Sequence, residues 1–425
     1  VAACYRICED KTASDGPIVP KYTDPPVRSF ANSPTDPNNR TAPRSEMKIT
    51  DIATFHAFDG QRNNIFLEIE TDEGITGVGE AYSIGPDISV ISMLDEMKSW
   101  FIGQDPGRIE WLLRRTKNTL RFPLGQVAWS AISGIDIALW DIAGKAASMP
   151  VYSLLGGKTR ERVRVYHGIY GDSPDLVAEH ALELIDEGYS AFKTSPLPSN
   201  WREMPWRAAL HMADERMTAI RDAIGDGPDL AVDVHVAIRE TARSLELAKV
   251  ITPYRLMFIE EPARAEFIAS SAVLRKEFRV ALAAGENLYG LHRFTELLDA
   301  DAVDIIQPDM LCCGGLLEAK KIAAVAEAHY VTVAPHNPLG LLSTAAGVHH
   351  AASINNFSIL EWHGDHRKKK SEFVNESWVP VNGAFELPTQ PGIGMTLNHE
   401  AIAANPPAHW DRGFATYSDG SPGFL

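Results

Sequence analysis

The chain has 425 residues, 45% of them hydrophobic and 23% charged, a balance that suits a soluble globular protein of two or three domains and excludes collagen, coiled coil and wholesale disorder. Its formal charge of −16 argues against nucleic acid or an anionic membrane as the main partner, and no apolar run reaches the roughly 18–20 residues of a membrane span. Four cysteines, Cys4, Cys8, Cys312 and Cys313, the last two adjacent, do not suggest a disulfide framework and make a reducing, cytoplasmic compartment the expected one.

Residues 1–46 are rich in Pro, Ser, Thr, Asn and Asp and show neither helical nor strand periodicity, the composition of an extended or disordered arm. They hold no apolar core of a secretory signal. Cys4 and Cys8 lack a second pair nearby and read as part of the arm rather than as metal ligands. From Met47 the pattern changes. Residues 65–70 and 75–80 form two strands around the turn Thr71-Asp72-Glu73-Gly74. A helical run over 127–147 places Ala131, Ile135, Ala138, Leu139 and Ile142 on one face. Residues 47–160 therefore read as a small α+β domain.

From Val163 onward short β-branched runs alternate with helical stretches. The strand candidates are 163–166, 191–195, 230–235, 257–260, 281–286, 303–307, 331–335 and 358–362; clear helices include 175–187, 206–224 and 316–328. Alternating strands and helices imply a parallel sheet, and eight repeats in about 200 residues imply a closed barrel over 161–365. A doubly wound sheet is the alternative, but no G-x-G-x-x-G follows a strand. After about Lys370 the pattern fades, and 366–425 reads as a segment returning to the first domain.

Polar and ionisable residues stand at the C-terminal ends of nearly all these strands: Lys193, Asp233 with His235, Glu260 with Glu261, Glu286, Asp309, His336 and Glu361. One acid after a strand often only caps the next helix. Seven such strands in one chain mark the mouth of a barrel, where active sites are built. Asp233, Glu260 and Glu286 on three successive strands would repel one another unless a cation joined them. Single-carboxylate oxygen ligands suit Mg²⁺, whereas zinc would favour more His and Cys. His235, two residues from Asp233, shares its face of the strand and could be a fourth ligand or a proton donor. Glu261 faces away from Glu260 and reads as outer support or a helix cap. His336 and Asp309, on adjacent strands, suggest a histidine held in one tautomer by a carboxylate. Lys193 could be a desolvated base or a fixed cation for a carboxylate substrate.

In these segments the chain resembles the mandelate racemase branch of the enolase superfamily, over about Met47 to the C-terminus. The resemblance rests on Asp233-Val234-His235, Phe258-Ile259-Glu260-Glu261-Pro262, Gly285-Glu286-Asn287, Gln307-Pro308-Asp309, Gly314-Gly315 and Ala334-Pro335-His336-Asn337-Pro338-Leu339-Gly340. It implies a modified (β/α)7β TIM-like barrel with an α+β capping domain, completed by the C-terminal segment. It also implies Mg²⁺ on Asp233, Glu260 and Glu286, abstraction of the proton α to a carboxylate, Glu361 protonated or hydrogen-bonded at the second carboxylate oxygen, and assembly as a dimer to octamer. Racemases of this branch carry Lys-x-Lys on the second strand. Here Lys193-Thr194-Ser195 lacks the second lysine, which argues against a two-base racemase. Asp-x-His on the third strand with a base His on the seventh resembles sugar-acid dehydratases of the galactonate and gluconate type. By that resemblance His336 takes the C2 proton and His235 protonates the departing 3-hydroxyl, giving a 2-keto-3-deoxy acid. The alternatives are an epimerase or cycloisomerase and a non-catalytic regulatory relative. A metal-dependent amidohydrolase would need a His-x-His that Tyr166-His167-Gly168 does not supply. Residues 56–64 with Arg62, 82–87, and 196–206 with Trp201 and Trp206 are candidate substrate loops, and 367–370 is a candidate solvated or subunit-contact patch.

Overall fold

The computed structural model describes residues 47–83, 85, 87–364, 370–376, 378–409 and 415–423; the arm with Cys4 and Cys8 lies outside the described residues, as do positions 367–369 of the basic run. Three strands come first, β1 (Ile49–Phe58), β2 (Asn63–Thr71) and β3 (Thr76–Ala81), antiparallel in that order. The β2–β3 hairpin follows from the alternation around 65–80. β1 gives no such signal, because Thr50, Asp51, Thr54 and His56 blur its pattern and its register shifts between Ile49 and Asp51. Helices α1 (Asp87–Phe101), α2 (Ile109–Leu120) and α3 (Gln126–Ala146) bury the Ile65, Leu67 and Ile69 side of β2. Alternation turns Phe66 to the other side, into the core shared with the barrel. Gly77 and Gly79 of β3 admit α3 so closely that a Cβ at either would strike the Ala138 or Gly134 carbonyl. By length and composition α3 could cross a bilayer, a point the count of apolar runs overlooks, but it is a core helix with most of its residues buried.

After a single turn, α4 (Val151–Leu154), strands and helices alternate. They are β4 (Arg162–Gly168), α5 (Pro174–Asp186), β5 (Ala191–Thr194), α6 (Trp206–Ile224), β6 (Asp229–Asp233), α7 (Thr241–Ile251), β7 (Ile259–Glu260) and α8 (Ile268–Glu277). Then come β8 (Leu282–Ala284), α9 (Gly290–Asp299), β9 (Ile305–Ile306), α10 (Gly315–Ala328), β10 (Thr332–Val333), α11 (Leu341–Ser353) and β11 (Leu360–Trp362). Strands β4 to β10 pair parallel in chain order, and β11 pairs parallel with β4. A parallel bridge between Val333 and Phe357 brings β10 against the approach to β11. The ring is thus a (β/α)7β barrel, and the doubly wound alternative falls. Inside it Tyr166 and Phe258 meet edge to face at 5.9 Å, with Ala191, Ala231, Ala283 and Ala334 leaving room for them. This layer is the floor beneath the strand ends.

The chain then returns to the three-stranded sheet. Phe373 packs on Phe66 with ring centres 5.6 Å apart, and Asn63 and Ala408 exchange two hydrogen bonds of 3.0 Å. β12 (Ala384–Glu386) pairs antiparallel with the start of β4. Lys370 is buried and its Nζ donates to the Pro338 carbonyl at 2.9 Å, so this member of the expected basic patch is not solvated. Glu80 of β3 accepts from the backbone N–H groups of Gly340 and Ser343, at 2.9 and 3.0 Å, tying the sheet to the start of α11, where a helix favours negative charge.

Within α11, His349 sets a pH limit on the fold. Its Nδ1 accepts from the Tyr152 N–H at 3.1 Å, so its Nε2–H is the group that donates to the Ile393 carbonyl, also at 3.1 Å. A second proton would face Tyr152 N–H with no acceptor. Burial lowers its pKa from 6.5 to about 4. The unfolded chain therefore binds a proton below about pH 6.5 that the folded chain takes up only near pH 4. Stability is expected to fall through that window, by up to ~3 kcal/mol from this residue. Replacing His349 by Gln should flatten the fall, read as the urea midpoint between pH 7 and 4. Parallel curves for the two proteins would refute the assignment.

Candidate active site

Asp233 and Glu260 face each other in the β6–β7 register, and Glu286 follows β8 beyond Gly285. One carboxylate oxygen from each lies within 4.8 Å of the others. Glu261 does not cap a helix. Its Oε1 accepts from Gly285 N–H at 2.8 Å and so braces the turn that carries Glu286. Burial and the neighbouring Glu286 push the Glu261 carboxyl up to about 8. Burial, with Asp233 next in weight, raises Glu260 well above its ordinary value. Glu260 Oε2 and Glu286 Oε2 are buried without a hydrogen-bond partner. An all-oxygen set of three carboxylates, two of them with an unsatisfied buried oxygen, fits a hard divalent cation.

Lys193 reaches into this group from β5. Its Nζ lies 2.7 Å from Glu260 Oε1, 2.7 Å from Glu361 Oε1 and 3.2 Å from Asp233 Oδ2. Burial disfavours its charge, but Glu260 and Glu361 outweigh burial and hold its pKa well above the usual lysine value. That favours the fixed cation over the base. Glu361 also accepts from Asn337 N–H at 2.8 Å on Oε2 and from His363 Nε2 at 2.8 Å on Oε1. Burial would raise its pKa; Lys193, His363 and His336 drive it well below the carboxylate range. Glu361 is therefore an ion encircled by donors, and the protonated form that the resemblance allows does not fit.

His336, just past β10, and Asp309, just past β9, meet as the sequence suggests, with Nδ1 to Oδ2 at 2.8 Å. Asp309 Oδ1 also accepts from Leu311 N–H at 2.7 Å. The His336 Nε2 is left 3.4 Å from Glu286 Oε2 and 3.8 Å from Glu361 Oε2. Burial opposes protonation, but Glu286, Glu361 and Asp309 prevail and push His336 up to about 10.

His235 reaches the site by a different route from the expected one. β6 ends at Asp233, and both His235 and Val236 have left-handed backbone, φ 52° and 49°. Such a pair costs a few kcal/mol and persists only when its surroundings hold it. Here the His235 N–H donates to Asp233 Oδ1 at 2.8 Å, and the Val236 N–H to the Glu261 carbonyl at 3.0 Å. The turn folds the imidazole back, with Nε2 3.2 Å from Asp233 Oδ2 and over half the side chain exposed.

A cavity of about 310 Å³ opens over these groups, and Lys193, Asp233, His235, His336 and Glu361 all line it. Arg62, from the expected 56–64 loop, lines it as well. Tyr82 stacks obliquely over His336, with ring centres 6.5 Å apart. The 196–206 segment contributes less than expected. Trp201 packs edge to face on Trp206 and Tyr417, at 5.9 and 6.0 Å, away from this cavity, whose lining from β5 stops at Ser195. His167, Tyr170, His180 and His363 also line the cavity, though none of them stands out as a site candidate in the sequence. Three of them obey the strand-end rule already in use, since His167 and Tyr170 flank the end of β4 and His363 follows β11. His180 lies on the face of α5, where no strand-end signal exists.

Residues 44–156 match the family model described as mandelate racemase / muconate lactonizing enzyme, N-terminal domain, and residues 176–401 that described as enolase C-terminal domain-like. D-galactonate dehydratase of Xanthomonas oryzae pv. oryzae (strain PXO99A) is 33% identical over 387 residues, 88% of this chain and 99% of that protein. The protein of the same name from Xanthomonas euvesicatoria pv. vesicatoria (strain 85-10) is 33% identical over 388 residues, with the same coverage. Among solved structures, an enolase from Agrobacterium radiobacter with bound Na and L-malate superposes with a TM-score of 0.85 at 35% identity, over 89% of this chain and 100% of that one. A member of the enolase superfamily from Salmonella Typhimurium gives 0.79 at 32% identity, over 85% and 98%.

Proposed function

Because the chain belongs to the mandelate racemase / muconate lactonizing enzyme family of the enolase superfamily, we propose that it is a Mg²⁺-dependent sugar-acid dehydratase that removes the proton α to a carboxylate and expels the 3-hydroxyl. The observation that carries this reading is the placement of two histidines across one cavity. His336 comes from β10 and His235 from beyond β6, four places apart in the eight-stranded ring; both line the cavity, and the carboxylate trio comes from β6, β7 and the turn after β8.

Asp233, Glu260 and Glu286 would hold the cation. When bound, it supplies electrostatic stabilisation for the charge that develops on the substrate carboxylate. Lys193 adds a fixed positive charge beside the same place. His336, with its ring neutral, accepts the C2 proton on Nε2 while Asp309 holds Nδ1 and so fixes the ring; a cation held by Glu286 would offset the carboxylate charge that otherwise keeps this imidazole protonated. His235, exposed to the cavity, gives a proton to the departing hydroxyl, which leaves as water. The resulting enol becomes a 2-keto-3-deoxy acid. Glu361 acts by holding Lys193 and the ring of His363, not by donating a proton.

The test is a panel of aldonic and aldaric acids with purified protein, read as α-keto acid formation. Turnover of at least one acid is expected with Mg²⁺, with loss on EDTA treatment and recovery when Mg²⁺ returns. Panel-wide silence, without deuterium uptake at C2 of any member, would remove the proposal.

A further inference from the structure

Tyr170, His363 and Glu361 form a hydrogen-bonded chain along one wall of the cavity. Glu361 is ionised and can only accept, so the His363 Nε2–H donates to it, at 2.8 Å. Burial pushes His363 down to about 4, so the ring is neutral and its Nδ1 carries a lone pair. The Tyr170 hydroxyl contacts that Nδ1 and must be the donor. With its single proton so committed, the phenol oxygen can only accept from anything else in the cavity. Tyr170 is itself 43% exposed and, like His363, lines the cavity.

The backbone is shaped for this chain. Gly168 pairs with Lys193 at the end of β4 and β5, and Tyr170, two residues on, lines the same cavity as Lys193. A Cβ at Gly168 would fall within 2.6 Å of His363 Nδ1, so a larger residue would displace the contact. The tyrosine ring lies against the His363 ring, with centres 6.0 Å apart.

Resting on the sugar-acid reading, we infer that Tyr170 recognises a hydroxyl group of the substrate, and that His363 and Glu361 are positioning residues that fix its oxygen as an acceptor. An acceptor-only oxygen is repelled by a carboxylate or a carbonyl and satisfied by a hydroxyl. This wall therefore selects a polyhydroxylated chain over an alkyl or aromatic acid, and keeps the substrate's own carboxylate at the cation end.

The experiment is calorimetry on the full chain carrying His336→Asn, loaded with Mg²⁺, so that binding is read without turnover. D-galactonate and galactarate are the probes. Adding Tyr170→Phe should weaken the probe that binds by about tenfold, the usual scale for one neutral hydrogen bond, with Mg²⁺ affinity within twofold. His363→Phe should match that loss. His363→Gln, whose amide can donate to Glu361 and accept from Tyr170, should restore most of it. Unchanged affinity in Tyr170→Phe overturns the inference, as does a fall in Mg²⁺ affinity that accounts for the loss. Where neither probe binds the parent protein, the panel member that turns over replaces them, and a panel with no such member would sink the sugar-acid reading itself, and this inference with it.

Discussion

His336→Asn is expected to reduce both C2 deuterium exchange and α-keto acid formation by at least about 10³-fold, the scale of a lost general base, while Mg²⁺ affinity stays within a few-fold. The two parts of this expectation have separate causes. His336 Nε2 is the only ring nitrogen of the pair not tied to Asp309, so it is the one able to take a proton from carbon. The imidazole touches Glu286 only at 3.4 Å and contributes no ligand to the carboxylate trio. Asparagine is the informative replacement. Its amide can still donate to Asp309, which is fully buried and would be costly to leave without a partner. Alanine would mix lost chemistry with an orphaned acid. Exchange that survives in the asparagine variant would show that another group removes the proton.

The barrel was legible because most of its parallel strands are apolar runs and seven of the eight are closed by a polar or ionisable residue. That combination fixes both the element and its mouth. β7, β9 and β10 are only two residues long in the structure, yet the runs around them were long enough to read. β1 was not legible, since pairing with β2 and cover from the helices stabilise a sequence whose own alternation is poor. The same limit applies at the site. Asp233, Glu260 and Glu286 could be grouped from strand order alone. Residues two apart on a strand share a face, which predicts His235 beside Asp233. The structure brings them together through a left-handed turn instead. No local signal announces that turn, because Val-His-Val is ordinary strand composition and the turn is held by Asp233 and Glu261. The ionisation of Glu361 was equally hidden. It depends on Lys193, Asn337 and His363, which arrive from β5, the loop after β10 and the residues after β11.

His235→Asn is expected to separate the two halves of the reaction. Loss of water should fall by about 10²–10⁴-fold, the range for a general acid, while C2 exchange persists within about tenfold. The reason lies in what each histidine touches. His336 and Asp309 share no hydrogen bond with His235, so the base remains intact when the acid is removed. Over half of the His235 side chain is exposed to the cavity, and its loss opens no buried hole. The backbone turn is held by the His235 N–H to Asp233 Oδ1 and by Val236 to Glu261, contacts that an asparagine, at ease in left-handed backbone, keeps. The variant should therefore fold normally and return deuterium-labelled substrate rather than keto acid. Direct titration of Mg²⁺ decides between this and the ligand role that the sequence left open. If exchange, dehydration and Mg²⁺ binding all disappear together, His235 belongs with Asp233, Glu260 and Glu286 as a fourth ligand and is not the proton donor.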